Sequence, residues 1–255
     1  MKISIVTATL NCSDRLAATF GSILRQSHAD WEFVVVDGAS ADGTPAMLAS
    51  IEKQAPGRVR WVSEPDGGIY DAMNKGLALA TGDAIGFLGS GDTFSDDSAL
   101  QAIAGELERT GADAVYGDLV FVHPHNPSRV CRTWHGSPYR PGIFNSGWQP
   151  AHPTFYARRE CFARFGGFDT SLDVSADFDL MLRFLEQQRI SNSYIPRTLV
   201  RMLSGGESNG SLRNIAVAHR NIYRSFRKYG YKVPRLYSMR RLLPKILNVI
   251  KVRLR

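Results

Sequence analysis

From Ile3 to Leu88 the chain alternates short apolar runs with segments whose apolar residues recur at spacings of three and four, the pattern of strands linked by helices. Ile3 to Ala8 reads as a first strand. Leu16, Phe20, Ile23 and Leu24 mark the buried face of a helix capped near Ser13, and Trp31 to Val36 reads as a second strand. The turn Asp37-Gly38-Ala39-Ser40-Ala41-Asp42-Gly43 leads into a helix starting around Thr44, where Pro45 occupies a first-turn position that needs no amide hydrogen. Val59 to Val62 is a third strand and Gly67-Gly68 a loop. Ile69, Met73 and Leu77 form one face of a helix stopped by Gly82, and Ala84 to Leu88 is a fourth strand. This alternation predicts an α/β fold on a mostly parallel sheet with helices on its faces. Ligands of such sheets sit beyond the carboxyl ends of the strands, here the loops beginning at Ala8, Asp37, Ser63 and Gly89.

Phosphate-binding signatures narrow the class. No G-x-G-x-x-G follows the first strand and no G-x-x-x-x-G-K-[ST] occurs, so neither a dinucleotide-dependent dehydrogenase nor a P-loop nucleotide hydrolase is expected. An anion must be held another way. Leu88-Gly89-Ser90-Gly91-Asp92 sets a small-residue turn and a carboxylate at a strand end, which suits Mg2+ or Mn2+ completed by diphosphate oxygens and water. Asp92 could equally cap the helix expected near Asp96 or brace a turn.

Composition adds a bound and charge adds a partner. The 255 residues, 44% apolar, suffice for one catalytic domain with a C-terminal extension. Cys12, Cys131 and Cys161 are odd in number and form no C-x-x-C pair, which fits a reducing compartment and gives no zinc spacing. The opening apolar run is broken by Asn11, Ser13 and Asp14, too early for a leader peptide, and no run of roughly 18 apolar residues reads as a membrane span. A soluble or surface-bound protein is expected, in the cytoplasm. Glu207 is the last acidic residue: the 13 Lys and Arg beyond it face none, whereas residues 1–207 hold 18 basic and 24 acidic side chains, a net of −6. From Arg235 onward Leu236, Met239, Leu243, Ile246, Leu247 and Ile250 recur at helical spacing among Arg240, Arg241, Lys245 and Lys251. Such a basic amphipathic helix suits an anionic membrane surface, here the inner face of the cell membrane; the alternative is a terminal helix docked on the protein's own core with its charges solvated. Nucleic acid is not expected, because no zinc-finger, RRM or homeodomain pattern accompanies the charge.

Ser4-Ile5-Val6-Thr7 through Asn11, followed by Glu32 through Val36 and the turn Asp37 to Thr44, resembles the opening of family 2 glycosyltransferases of the GT-A fold. Glu64-Pro65-Asp66-Gly67-Gly68-Ile69-Tyr70-Asp71-Ala72-Met73-Asn74-Lys75-Gly76, with Ala80-Thr81-Gly82-Asp83 behind it, is similar to the bacterial members that build cell-surface polysaccharides and glycolipids, including the colanic acid type. The resemblance spans roughly residues 3 to 210. It implies a GT-A domain over 1–210, with a nucleotide-sugar half (1–95) and an acceptor half (96–210), followed by the basic extension 211–255. It also implies that Asp37 hydrogen-bonds the donor base, with Thr7, Ala8 and Thr9 lining the base pocket. Asp66, Asn74 and Lys75 then lie at the nucleotide, Lys75 offsetting diphosphate charge, and Ser90 and Gly91 lie beside the donor. Asp92 becomes the ligand of a divalent metal, although Ser90-Gly91-Asp92 lacks one acidic member of the usual Asp-x-Asp or Ser-Asp-Asp.

In the second half, Ala151-His152-Pro153-Thr154-Phe155-Tyr156 resembles a family strand and Gly166-Gly167-Phe168-Asp169 the turn before the acceptor helix. Ser175-Ala176-Asp177-Phe178-Asp179-Leu180 matches the Glu-Asp-x-Asp-Leu region, with Ala176 in place of the acid, and implies Asp177 as the catalytic base. Asp179, two residues on, falls on another side of the helix and reads as structural or as a helix-start charge. His152 and Arg201 are possible donor or acceptor contacts, and Ser204 to Ser208 could cover the donor or be an ordinary loop. The implied reaction is inverting transfer of a sugar from a UDP or GDP donor to a hydroxyl of a saccharide or lipid-linked acceptor. The thinned motifs at Gly91 and Ala176 keep a non-catalytic nucleotide-sugar or glycan-binding module as the alternative.

Overall fold

The computed structural model describes residues 1–205 and 212–243. Its first half is β1 (Ile3–Thr9), α1 (Ser13–Leu24), β2 (Trp31–Asp37), α2 (Thr44–Gln54), β3 (Val59–Ser63), α3 (Ile69–Leu79) and β4 (Ala84–Phe87), with strand ends within one residue of those the pattern sets. Every residue of β2 is buried, as a strand covered on both faces requires. Two local details differ from expectation. Ser13 is the first helical residue of α1 rather than its cap: Cys12 takes the cap position without a side-chain bond. The Asp42 carboxylate accepts the Ser13 N–H (3.2 Å) and Thr44 Oγ1 accepts that of Cys12 (3.1 Å), so the loop after β2 caps α1 from outside. Helix α3 ends at Leu79, with Ala80 extended, before Gly82 is reached. Gly82 instead lets the chain press on β1, since a Cβ there would stand 2.6 Å from Ser4 Oγ and 2.8 Å from Ser4 N.

The second half is β5 (Thr93–Phe94), α4 (Ala99–Thr110), β6 (Ala114–His123), β7 (Asn126–Trp134), β8 (Tyr156–Arg158), α5 (Arg159–Phe165), α6 (Ala176–Leu182), β9 (Asn192–Leu203) and α7 (Leu212–Lys228), with a further helical segment at 237–243. Among the described residues one nine-stranded sheet runs β3-β2-β1-β4-β8-β6-β9-β5, with β7 paired to β6. The parallel expectation fits β3, β2, β1 and β4; the second half is mixed, because β8 lies antiparallel between β4 and β6, and only β6–β9 is a parallel pair there.

Alternation along β1 sends Ile3 and Ile5 to one face, with Leu16, Phe20, Leu48, Leu100 and Ile103, and Val6 to the other, with Phe87, Phe162, Phe178 and Phe184. Ile222 and Phe226 of α7, and Tyr237 beyond it, belong to that second core. Of the basic amphipathic helix expected from Arg235, residues 237–243 are helical, after a turn in which Leu236 has φ +59°; Ile246, Leu247 and Ile250 lie outside the described residues.

Glu32 ties the first strands together. Its carboxylate, 2% exposed, accepts from Ser4 Oγ (2.6 Å), Thr81 Oγ1 (2.8 Å) and the Gly82 N–H (3.2 Å), and pairs with Lys2 Nζ at 2.7 Å. Burial alone would raise its pKa, but the bonds from Lys2, Ser4 and Thr81 outweigh burial and hold it at about 2. A carboxyl depressed on folding contributes stability above its unfolded pKa, and that contribution is lost as pH falls through the folded value. Glu32→Gln is expected to lower the melting temperature at neutral pH, and the gap to wild type should close between about pH 5 and about pH 2. Melting curves across that range check it; a gap independent of pH assigns the loss to packing.

Candidate active site

Strands β1, β2 and β4 end at one edge of the sheet, and β8, running the other way, begins there, so His152 just before it joins the loops after Thr9, Asp37 and Phe87. Strand β9 runs parallel to β6 and brings Leu203 to the same edge. This is the edge where the strand pattern puts a ligand.

On the donor side, local bonds shape the floor. Thr7 Oγ1 donates to the Leu88 carbonyl (2.6 Å), joining β1 to the loop after β4. Buried Asp37 accepts from Ser40 Oγ, from the Ser40 N–H (3.0 Å) and from Ser63 Oγ (2.6 Å), which fixes the turn after β2. Asp66 accepts the Gly68 N–H (2.9 Å) while its other oxygen would stand 2.8 Å from a Cβ on Gly38, so Gly38 lets this carboxylate approach the Asp37 turn. Lys75 is held by Glu64 (2.9 Å), Asp71 (3.6 Å) and the Pro65 carbonyl (2.8 Å), and the hydrogen bond it donates to Glu64 raises its pKa. Its charge braces the 64–71 loop. Asn74, expected at the nucleotide, instead directs both ends of its amide to Phe168, donating to the carbonyl (2.9 Å) and accepting the N–H (2.8 Å). Ala8 lies half-buried between Thr7 and Thr9.

The loop after β4 carries Ser90, Gly91 and Asp92. Gly91 has φ +95°, donates its N–H to Thr19 Oγ1 (2.8 Å), and would bring a Cβ to 2.6 Å from Leu203 Cδ1 and 3.3 Å from Arg15 Cβ. The backbone there is left-handed and enclosed, which explains why no acid stands at this point of the motif. Asp92 is 5% exposed, and its Oδ1 accepts the Leu203 N–H at 3.0 Å. It therefore braces the end of β9. Burial outweighs the bonds from Leu203 and Gly89 and raises its pKa to about 7.

Asp177 lies in the first turn of α6, directly after Ser175, a non-glycine residue at φ +69°, and Ala176. Gln149 Nε2 lies 3.5 Å from its Oδ2. The His152 ring stacks on Phe87 (5.6 Å) and meets Phe168 edge-on (5.6 Å). Burial lowers its pKa against the pull of Asp177, so the neutral imidazole is present at neutral pH. Asp179 is fully buried on the far side, accepting Tyr229 OH (2.8 Å) with Lys228 at 3.5 Å, which gives it a structural part. Arg201 donates to the Pro127 carbonyl (2.6 Å), so the hairpin β6–β7 holds it in this structure. Gly206 to Ser208 lie outside the described residues.

Two neighbours of Asp177 escape sequence reasoning. Gln149, 4% exposed, stands 28 positions away, and Tyr70, stacked on Phe168 (5.5 Å), has its hydroxyl at the backbone of residues 175–177. Gln149 lies in no motif, and Tyr70, although within the run Glu64 to Gly76, is brought to Asp177 only by the fold. Buried Thr9 Oγ1, Ser90 Oγ, Gln149 Oε1 and His152 Nε2 have no hydrogen-bond partner among the described residues. Polar atoms left in this way are costly unless a ligand or water meets them, and these four flank the strand ends on both sides of the site.

The sequence profile described as Glycosyl transferase family 2 matches residues 4–166, and the chain belongs to this family of GT-A glycosyltransferases. An uncharacterised glycosyltransferase of Mycobacterium tuberculosis is 34% identical over 191 residues, 71% of this chain and 68% of its own. A PGL/p-HBAD biosynthesis glycosyltransferase of Mycobacterium bovis is 30% identical over 193 residues, 75% of this chain and 73% of its own. Among solved structures, S. aureus TarS 1-349 in complex with UDP-GlcNAc superposes with a TM-score of 0.68 at 17% identity, covering 98% of this chain and 72% of that one. The mannosyltransferase PcManGT of Pyrobaculum calidifontis, in complex with GDP-Man and Mn2+, superposes at 0.66 and 19% identity, covering 98% and 73%. These two likenesses show the fold.

Restoring an acid to the loop should fail on geometry. Gly91→Asp is expected to destabilise the protein by about 1–3 kcal/mol through its left-handed backbone and the Leu203 contact. Chemical denaturation measures this, and an unchanged midpoint contradicts it. Asp92 predicts a pH dependence of the opposite sign to Glu32. A carboxyl whose pKa is raised on folding costs stability as pH rises from its unfolded value through about 7. Without added metal, Asp92→Asn should gain on wild type between about pH 4 and about pH 7 and hold that gain above.

Proposed function

We propose that this chain is an inverting glycosyltransferase, moving a sugar from a UDP or GDP donor to a hydroxyl of a saccharide or lipid-linked acceptor in cell-surface polysaccharide or glycolipid synthesis. The observation that carries the reading is the pairing of a buried, unpartnered polar floor (Thr9, Ser90, His152) with a carboxylate, Asp177, on the opposite half of the fold. The name of the mycobacterial relative and the nucleotide-sugar complexes of the structural neighbours support it. Residues 1–95 form the nucleotide-sugar half and residues 96–210 the acceptor half, with the basic region 211–255 appended.

In this scheme Thr7, Ala8, Thr9 and Asp37 frame the base, Asp66 and Lys75 border the nucleotide, and Ser90 and Gly91 border the diphosphate. Asn74 acts at one remove by holding Phe168. His152 and Gln149 face the transferred sugar or acceptor hydroxyl, and Arg201 reaches the site only on leaving Pro127. Among the described residues no three His, Cys, Asp or Glu side chains are gathered to hold a metal. A single carboxylate, Asp92, with the unpartnered Ser90 hydroxyl near it in the chain, nevertheless suits Mn2+ or Mg2+, which take the rest of their shell from diphosphate and water. Such an ion supplies charge neutralisation of the departing diphosphate.

The acceptor oxygen attacks the anomeric carbon from the side opposite the nucleoside diphosphate. The new C–O bond forms as the bond to the diphosphate breaks, the leaving group takes the electron pair, and Asp177 takes the hydroxyl proton. Configuration inverts. General-base assistance of this type contributes about 100-fold to 10,000-fold. Gln149 donates to the carboxylate, and Tyr70, whose hydroxyl meets the backbone of residues 175–177, stands beside it. No described helix is long and apolar enough to cross a membrane, and the basic region suits the anionic inner face of the cell membrane from the cytoplasm; nothing in the pattern suits nucleic acid.

Thermal stabilisation by nucleoside diphosphates and nucleotide sugars, with and without Mn2+, tests the donor site. One nucleotide should stabilise the wild type in a Mn2+-dependent manner that Asp92→Ala removes. Asp177→Asn should keep that stabilisation while nucleoside diphosphate release onto acceptor falls at least roughly 100-fold. Turnover unchanged in Asp177→Asn removes Asp177 from its role, and stabilisation without turnover on any acceptor favours the binding module.

A further inference from the structure

The segment that ends the described chain carries three of the most exposed large apolar side chains among the described residues. Leu236 is 67% exposed, Met239 60% and Leu243 55%. They recur at spacings of three and four, Leu236 in the turn before the helical segment 237–243 (φ +59°) and Met239 and Leu243 on it, and Lys232, Arg235 and Arg240 beside them are exposed as well. No acidic residue follows Glu207, so nothing in this part of the sequence offsets their charge. The opposite side of the segment is fixed to the catalytic domain. Tyr237 is fully buried against Phe226 (5.3 Å) and Tyr223 (6.1 Å), and Ser238 Oγ bonds His219 Nδ1 (2.6 Å) and Tyr223 OH (3.0 Å).

Its inner contacts reach the acceptor side. Gly147, at φ +88°, lies so close to Arg241 that a Cβ would stand 2.8 Å from the Arg241 Cα, a backbone contact with no flexible side chain to yield. The Arg241 guanidinium sits 5.4 Å from the Phe178 ring. Phe178 adjoins Asp177, and two residues after Gly147 comes Gln149, which bonds Asp177.

Resting on the glycosyltransferase reading, we propose that the face formed by Leu236, Met239 and Leu243 docks on an anionic lipid bilayer, and that docking acts through Arg241 and Gly147 on the loop holding Gln149 against Asp177. The enzyme is thereby set to meet an acceptor borne by the membrane. Charge selects the occupant: an apolar face whose own segment carries only basic charges fits acyl chains under anionic headgroups, each Lys or Arg adding about 1 kcal/mol near such a surface.

The test uses the full chain with vesicles of phosphatidylcholine, alone or mixed with phosphatidylglycerol, read by co-sedimentation and by hydrogen exchange. Binding to the mixed vesicles, weak binding to phosphatidylcholine alone, and slowed exchange over both 237–243 and 142–149 are expected. Leu236→Glu/Met239→Glu, and separately Arg240→Glu, should weaken binding, the double variant at least roughly tenfold, with melting temperatures and stabilisation by nucleotide unchanged. Equal binding to both vesicles, or unaltered binding by a folded double variant, overturns the docking face. Slowed exchange at 237–243 with none at 142–149 overturns the link to the acceptor loop. Nucleotide stabilisation, measured on the same samples without lipid, reports the donor site separately.

Discussion

Strand β4 meets β8 over three residue pairs, and there Gly86 lies directly under the ring of Tyr156. Any side chain on Gly86 would fill the space of that ring, so the join between the parallel half of the sheet and the mixed half depends on an absent Cβ. A second tie crosses the same boundary. Asn74, on α3 of the parallel half, holds both backbone groups of Phe168 94 positions away, where a peptide group buried without such partners would be costly. Phe168 in turn carries Tyr70 on one side and His152 and Phe87 on another. The donor floor and the helix of Asp177 hold their relative position through these contacts.

The site is also defined by what its polar groups lack. Most buried carboxylates of this protein are fully engaged: Glu32 by Lys2 and hydroxyls, Asp118 by Tyr194 OH (2.5 Å), the Gly136 N–H (2.8 Å) and His135, Asp37 by its own turn. Asp179 Oδ1 is buried without a partner among the described residues, and Asp92 differs in another way, with burial dominating and its pKa displaced upward. A carboxyl kept partly protonated at neutral pH marks a place where a positive charge is absent from the protein's own residues. That Asp92 also carries the Leu203 N–H couples this place to the end of β9, where the chain enters residues 206–211.

Strands and helices up to Leu88 were legible because parallel strands buried on both faces are continuous apolar runs, and because glycine and proline punctuate the turns. The later order was not. β8 has three residues, and nothing in Tyr156-Ala157-Arg158 announces that it will insert antiparallel between β4 and β6. Among site residues, motif position assigned Asp177, Asp92 and Asn74, and the Asn74 side chain turns to a partner that only tertiary structure supplies. Gln149 and Tyr70 were invisible for the same reason. The capping of α1 shows this on a smaller scale: Ser13 has the residue type of a cap, yet Asp42 from another loop takes its amide.

The reduced metal motif follows from the same geometry. A second acid at Gly91 would have to adopt φ near the observed +95° and displace Leu203, the residue whose N–H meets Asp92. Gaining a carboxylate at that point would therefore disturb the one already present. With a single protein carboxylate, a divalent ion would take most of its oxygens from the diphosphate, and its residence would depend on the donor nucleotide. Cation and donor binding would then be mutually dependent, each supplying part of the other's coordination. The thinned motif is then compatible with catalysis, since the charge to be neutralised arrives together with the ligands that hold the ion.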